Sequence, residues 1–175
     1  SCSKHQQLVR KTPRFMPAET FAEMKKCFED HPLTGESVLN QNAFSSTRGF
    51  VIGFNREGVA DFKGDGRFDC MTRYFDRAAI HDANAFVMNL LVCHQPTNTS
   101  DVVVGLHIDN TLKSWLPLKT FYAHQVNVLY MNVPEDMQGG TLEVFSYRDG
   151  VEVPVDNPGI PDLEVHPEEN TMVAF

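Results

Sequence analysis

Cysteine is scarce in this chain, and its four copies (Cys2, Cys27, Cys70 and Cys93) form no C-x-x-C pair. Zinc ribbons and dithiol redox motifs need that close spacing, so neither is supported, and free thiols in a reducing compartment are expected. Positive charge is also in short supply. Asp and Glu number 23 against 15 Lys and Arg, a formal net charge of −8, and no basic cluster occurs. Nucleic acid needs a basic footprint and is therefore not expected as a partner. Long apolar runs are missing too: the longest, residues 85–93, is broken by Asn89 and is far too short to span a bilayer. A basic n-region followed by an apolar h-region is absent, so neither a signal peptide nor a membrane partner is expected. Cytoplasmic localisation follows as the simplest expectation.

No internal repeat, low-complexity tract or linker divides the sequence, so residues 1–175 are expected to form one domain. Within it, Phe21, Met24 and Phe28 fall at i, i+3 and i+7, which predicts a one-sided helix opening at Pro17 and stopping at His31-Pro32. A strand is expected over 47–55, and a second helix over 67–80 from the spacing of Phe68, Met71, Phe75 and Ala79. The intervening acidic segment from Asp61 superficially suggests a calcium loop. Lys63 stands at its third position and Thr72 at its twelfth, where an EF-hand needs an oxygen ligand and a bidentate Glu. Calcium is rejected on that ground.

From Ala85 onward the pattern changes to strands separated by turns rich in Pro, Gly, Asn and Asp. Strands are expected over 86–93, 102–109, 125–133, 141–147, 151–155, 163–166 and 171–175. Helices first and short strands after predict an α+β domain, a jelly-roll-like double sheet backed by N-terminal helices.

The chemistry concentrates in His107-Ile108-Asp109. On an extended backbone, residues i and i+2 point to the same side, so an imidazole and a carboxylate converge without a special turn. Completed by a second histidine, that pair makes the facial triad of non-haem iron oxygenases. Downstream stand Tyr130-Met131-Asn132 and then Gly139-Gly140-Thr141-Leu142. In this order and spacing the segment resembles the Fe(II)/2-oxoglutarate-dependent oxygenases, most closely the prolyl-hydroxylase-like branch. The resemblance covers roughly the last eighty residues.

That resemblance implies a double-stranded β-helix (cupin-like) core, with His107 and Asp109 as two ligands of Fe(II). It implies 2-oxoglutarate as co-substrate, O2 as oxidant, and a small-molecule, amino-acid or peptide substrate. Tyr130 matches the tyrosine whose hydroxyl reaches the distal carboxylate of 2-oxoglutarate, or else it is a core tyrosine. Family halogenases replace the carboxylate ligand with a small residue, so Asp109 favours hydroxylation. Trp115 either lines a substrate mouth or anchors a loop.

The third ligand is where the sequence departs from the pattern. His166 is the only histidine beyond Gly140, but 165–175 resembles the hairpin that precedes the family's third ligand. Period-2 alternation puts His166 beside Glu164, facing water. The third histidine, and the basic residue for 2-oxoglutarate, are expected beyond Phe175. His5, His31, His81, His94 and His124 are read as solvent-facing or structural. The alternative to an oxygenase is a jelly-roll binding protein, or a degenerate oxygenase fold without turnover.

Overall fold

The computed structural model describes residues 9–35, 47–94, 102–113, 120–145 and 159–175. In chain order these form β1 (Arg10–Thr12), α1 (Ala18–Glu29), β2 (Thr47–Asn55), α2 (Val59–Gly64), α3 (Asp69–Ala78), β3 (Ala85–Cys93) and β4 (Asn110–Lys113). There follow β5 (Thr120–Tyr122), β6 (Asn127–Leu129), β7 (Leu142–Val144), β8 (Leu163–Val165) and β9 (Met172–Ala174). The chain divides into two compact units, one made of Ser1–Ala18 with Gln125–Phe175 and the other of Glu19–His124. The described strands form four separate antiparallel sheets of two or three strands. Expected strand 151–155, Trp115, His5 and Cys2 lie outside the described residues.

In the second unit β2 and β3 pair along their full length, from Thr47↔Cys93 to Asn55↔Ala85. Alternation turns Phe50, Ile52 and Phe54 of β2, with Phe86, Met88 and Leu90 of β3, to one side. The connection between the strands lays helices on that side, and Phe62, Phe68, Met71 and Phe75 complete the core. Its rings interlock: Phe54 stacks on Phe62 at 4.6 Å, and Phe75 meets Phe62 and Phe86 edge-on at 5.4 and 5.0 Å. Gly49 is indispensable to the pairing. Its φ is +135°, and a Cβ there would stand 1.8 Å from the Leu90 carbonyl oxygen.

Helix α1 runs as its stripe predicts, burying Phe21 and Met24, with Glu19 in the first turn and Lys26 in the last. The second expected helix begins with a 3-10 turn at Gly66–Phe68, because Asp65 accepts a hydrogen bond from the Arg67 N–H at 3.1 Å. The Asp65 carboxylate is also gripped by the Arg67 guanidinium, which holds its carboxyl below the usual range. Helix α2 was not legible in the sequence. It buries only Phe62 and is too short to show a period.

The expectation of free thiols is corrected for one pair. Cys27 of α1 and Cys70 of α3 form a disulfide with a Cα–Cα separation of 5.9 Å, while Cys93 is free. A spacing of 43 residues carries no sequence signature, since only packing of the two helices brings the cysteines together.

In the first unit β9 lies between β1 and β6, with Arg10↔Ala174 on one side and Asn127↔Ala174 on the other. Val173 is wholly buried. The expected strand over 125–133 shortens to Asn127–Leu129, though backbone bonds from Val126 to Phe175 and from Tyr130 to Thr171 continue the pairing at each end. Asn170 closes the turn before β9 in the left-handed region, at φ 53°. Its side chain accepts from the Met16 N–H and donates to the Met16 carbonyl, both at 2.8 Å.

Candidate functional site

Residues 102–109 do not form the expected regular strand. Strand pairing starts at Asn110, just after the Ala123 N–H donates to the Asp109 carbonyl at 2.8 Å. The reason lies in the segment itself. Gly105 weakens a strand interior, and its carbonyl, which a ladder would use, accepts instead from His107 Nδ1 at 2.7 Å.

That bond sets the tautomer of the neutral imidazole. A carbonyl can only accept, so Nδ1 carries the proton and Nε2 keeps its lone pair in the neutral ring. Nε2 in turn stands 3.6 Å from Asp109 Oδ1. The convergence expected from the i, i+2 spacing is therefore present, produced by a side-chain clasp and not by a strand pleat. In the protonated ring Nε2 carries a proton toward Asp109, and that interaction raises the His107 pKa, aided by Gly105 and by the Asp109 charge and opposed by desolvation.

Chemically the pair offers one nitrogen and one oxygen donor to a shared cation. Donors about 2.1 Å from an ion stand roughly 3.0 Å apart at a right angle, so closing by roughly 0.6 Å would let both bind one ion. A histidine ligand whose other ring N–H is fixed by a carbonyl is the usual arrangement at metal sites. The two residues fit a metal fragment. Among the described residues, no group of three His, Cys, Asp or Glu is arranged to hold a metal.

No family model, curated protein or solved structure matches this chain.

Tyr130 and His166 belong to the other unit. The Tyr130 backbone donates to Thr171 at 3.2 Å and accepts from Asn170 at 2.9 Å, which sets the residue at the mouth of the β6–β9 pair. His166 follows β8, exposed as alternation predicts, with Val165 buried and Glu164 exposed. Its Nδ1 is 3.2 Å from Thr141 Oγ1. The two lie by an open cleft of about 530 Å³ lined also by Pro134, Met137, Gly139 and Pro167. Gly139 and Gly140 turn the chain there with φ of 78° and 73°, and a Cβ at Gly140 would come within 3.0 Å of Met137 Cε.

Among the described residues, the remaining histidines have other employment or face solvent. His31 is buried, with Nε2 donating to the Arg67 carbonyl at 2.6 Å and Nδ1 accepting from the Leu33 N–H at 3.2 Å. His94 accepts from Arg48 Nε at 2.6 Å. His81 and His124 are exposed. Sequence reasoning missed Gly105 and Thr141 as partners of the two histidines.

Proposed function

We propose that this chain is a non-haem Fe(II)/2-oxoglutarate-dependent dioxygenase with a double-stranded β-helix core, hydroxylating a C–H bond of a small molecule, amino acid or peptide. The observation that carries the reading is the His107–Asp109 pair, with Nδ1 committed to Gly105 and Nε2 turned toward the carboxylate. His107 and Asp109 would hold the iron, and the family resemblance assigns Tyr130 to 2-oxoglutarate. When bound, iron with 2-oxoglutarate and O2 supplies oxidation of a C–H bond, releasing succinate and CO2.

The chain's own contribution is electrostatic and geometric. Gly105 holds the His107 proton at Nδ1, so the ring presents a lone pair without rotating. Asp109 stands where halogenases of the resembled family carry a small residue that makes room for halide, and this favours hydroxylation over halogenation. A net charge of −8 speaks against a nucleic-acid substrate. No helix among the described residues is long and apolar enough to cross a membrane. Cytoplasmic placement is part of the proposal.

The test is turnover. Full-length protein with Fe(II), ascorbate and 2-oxoglutarate is expected to form succinate, slowly even without substrate. Asp109→Ala should abolish succinate formation and weaken Fe(II) binding while leaving the circular dichroism spectrum unchanged. Binding of 2-oxoglutarate without turnover would move the assignment to a binding protein. Absence of both binding and succinate would sink the enzyme reading.

A further inference from the structure

Helices α1 and α3 are joined twice, and the two joints run in opposite chain directions. Cys27 bonds to Cys70, and Glu23, one turn earlier in α1, pairs with Arg73, about one turn later in α3. The helices are therefore antiparallel at this seam, held by one covalent link and one ion pair. The two sulfurs are not equivalent. Cys27 is on the exposed side of α1, whereas Cys70 is 7% exposed and adjoins Met71 of the aromatic core.

We propose that Cys27 is a thiol-exchange site, where a low-molecular-weight or protein thiolate attacks and opens the Cys27–Cys70 disulfide. Exchange requires the nucleophile to approach along the S–S axis, behind the sulfur it attacks. Cys70 lies inward, so the rear of Cys27 faces solvent, while the rear of Cys70 faces the protein. The leaving group also suits this direction. Cys70 sits in the first turn of a ten-residue helix, where the N-terminal peptide dipoles favour a departing thiolate.

The incoming sulfur bonds to Cys27 Sγ as the Sγ–Sγ bond breaks, and the electron pair leaves on Cys70, which then takes a proton. A second thiol releases Cys27 from the mixed disulfide. In total two external thiols are oxidised to a disulfide, and the protein disulfide is reduced to two thiols. Opening frees the chain between Cys27 and Cys70, which contains β2, α2 and the core residues Phe50, Phe54, Phe62 and Phe68. In a reducing compartment a disulfide of this kind is transient, opened and re-formed as the thiol pool changes. The proposal does not depend on the oxygenase reading.

The experiment uses intact oxidised protein and limiting glutathione, quenched with acid and mapped by peptide mass spectrometry. The mixed disulfide is expected on the Cys27 peptide, with a free thiol on Cys70. Cys93, free and exposed, serves as the internal reference for thiol alkylation. An adduct mainly on Cys70 would overturn the proposal. So would full alkylation of both Cys27 and Cys70 after incubation with oxidised glutathione and no reductant. In parallel, dithiothreitol should lower the wild-type melting temperature by roughly 10 °C. The Cys27→Ser/Cys70→Ser double variant should show no such shift. A wild-type melting temperature indifferent to reductant counts against the proposal even if the adduct forms.

Discussion

The two units are stabilised by different means. Glu19–His124 relies on side chains: two nine-residue strands and their helices converge on interlocked phenylalanines, and a disulfide ties the outer helices. In the unit of Ser1–Ala18 and Gln125–Phe175 the described strands are three residues long. Beside a small buried set that includes Phe15, Met16, Met172 and Val173, it uses backbone bonds closed by single polar groups, with Asn170 clasping Met16 and the Glu169 carboxylate accepting from the Val133 N–H at 3.2 Å. Packing energy is spread over many contacts and tolerates small displacements, whereas a clasp depends on one donor and one acceptor being in place. The His107–Gly105 bond belongs to the second kind although it lies in the first kind of unit.

The contrast is broken most forcefully by emptying the aromatic core. Phe75→Ala should cost about 3–5 kcal/mol, because Phe75 touches Phe54, Phe62 and Phe86 and its loss leaves a cavity they cannot refill. Chemical denaturation gives the size of the loss. Segment-resolved hydrogen exchange should place it in β2, β3 and α3, and equal loss of protection in β1 and β9 would argue against the distinction.

A smaller effect comes from alkali. Tyr74 packs against the same core, and burial pushes its phenol up to about 12. Below pH of about 10 the phenol is neutral in both folded and unfolded chains, so stability does not change on its account. Above that, the unfolded chain ionises while the folded one resists. Stability should fall as pH rises to about 12, by about 2–3 kcal/mol in total. Tyr74→Phe should remove this component, and an identical alkaline slope in wild type and variant would show that the phenol is not responsible.

The same contrast explains what could be read from the sequence. The strand at Thr47–Asn55 and helix α1 were legible because side-chain periodicity specifies both, and periodicity is a property of sequence. The strand expected over 102–109 failed because Gly105 gives its carbonyl to His107. At the candidate site the residue types and spacing of His107 and Asp109 were readable. The clasp that orients the ring was not, since a backbone carbonyl has the same identity in every residue. The Cys27–Cys70 bond was equally hidden, because it depends on where two helices settle.

The smallest predicted effect is the sharpest test of the polar unit. Asn170 has two separable roles: it occupies a left-handed conformation, and its amide satisfies both backbone groups of Met16, which is itself buried. Asn170→Gly keeps the first role at no steric cost and loses the second, so it should destabilise by about 1–2 kcal/mol. Asn170→Ala loses both, adding about 1 kcal/mol for a Cβ forced into positive φ. The ordering wild type, then Gly, then Ala is what matters. If Ala and Gly were equal, backbone strain would contribute nothing. If Gly matched wild type, the clasp on Met16 would be idle and the unit would owe its order to the buried Val173 strand after all. Hydrogen exchange at the Met16 amide reads the clasp directly, and faster exchange there in both variants is the expected result.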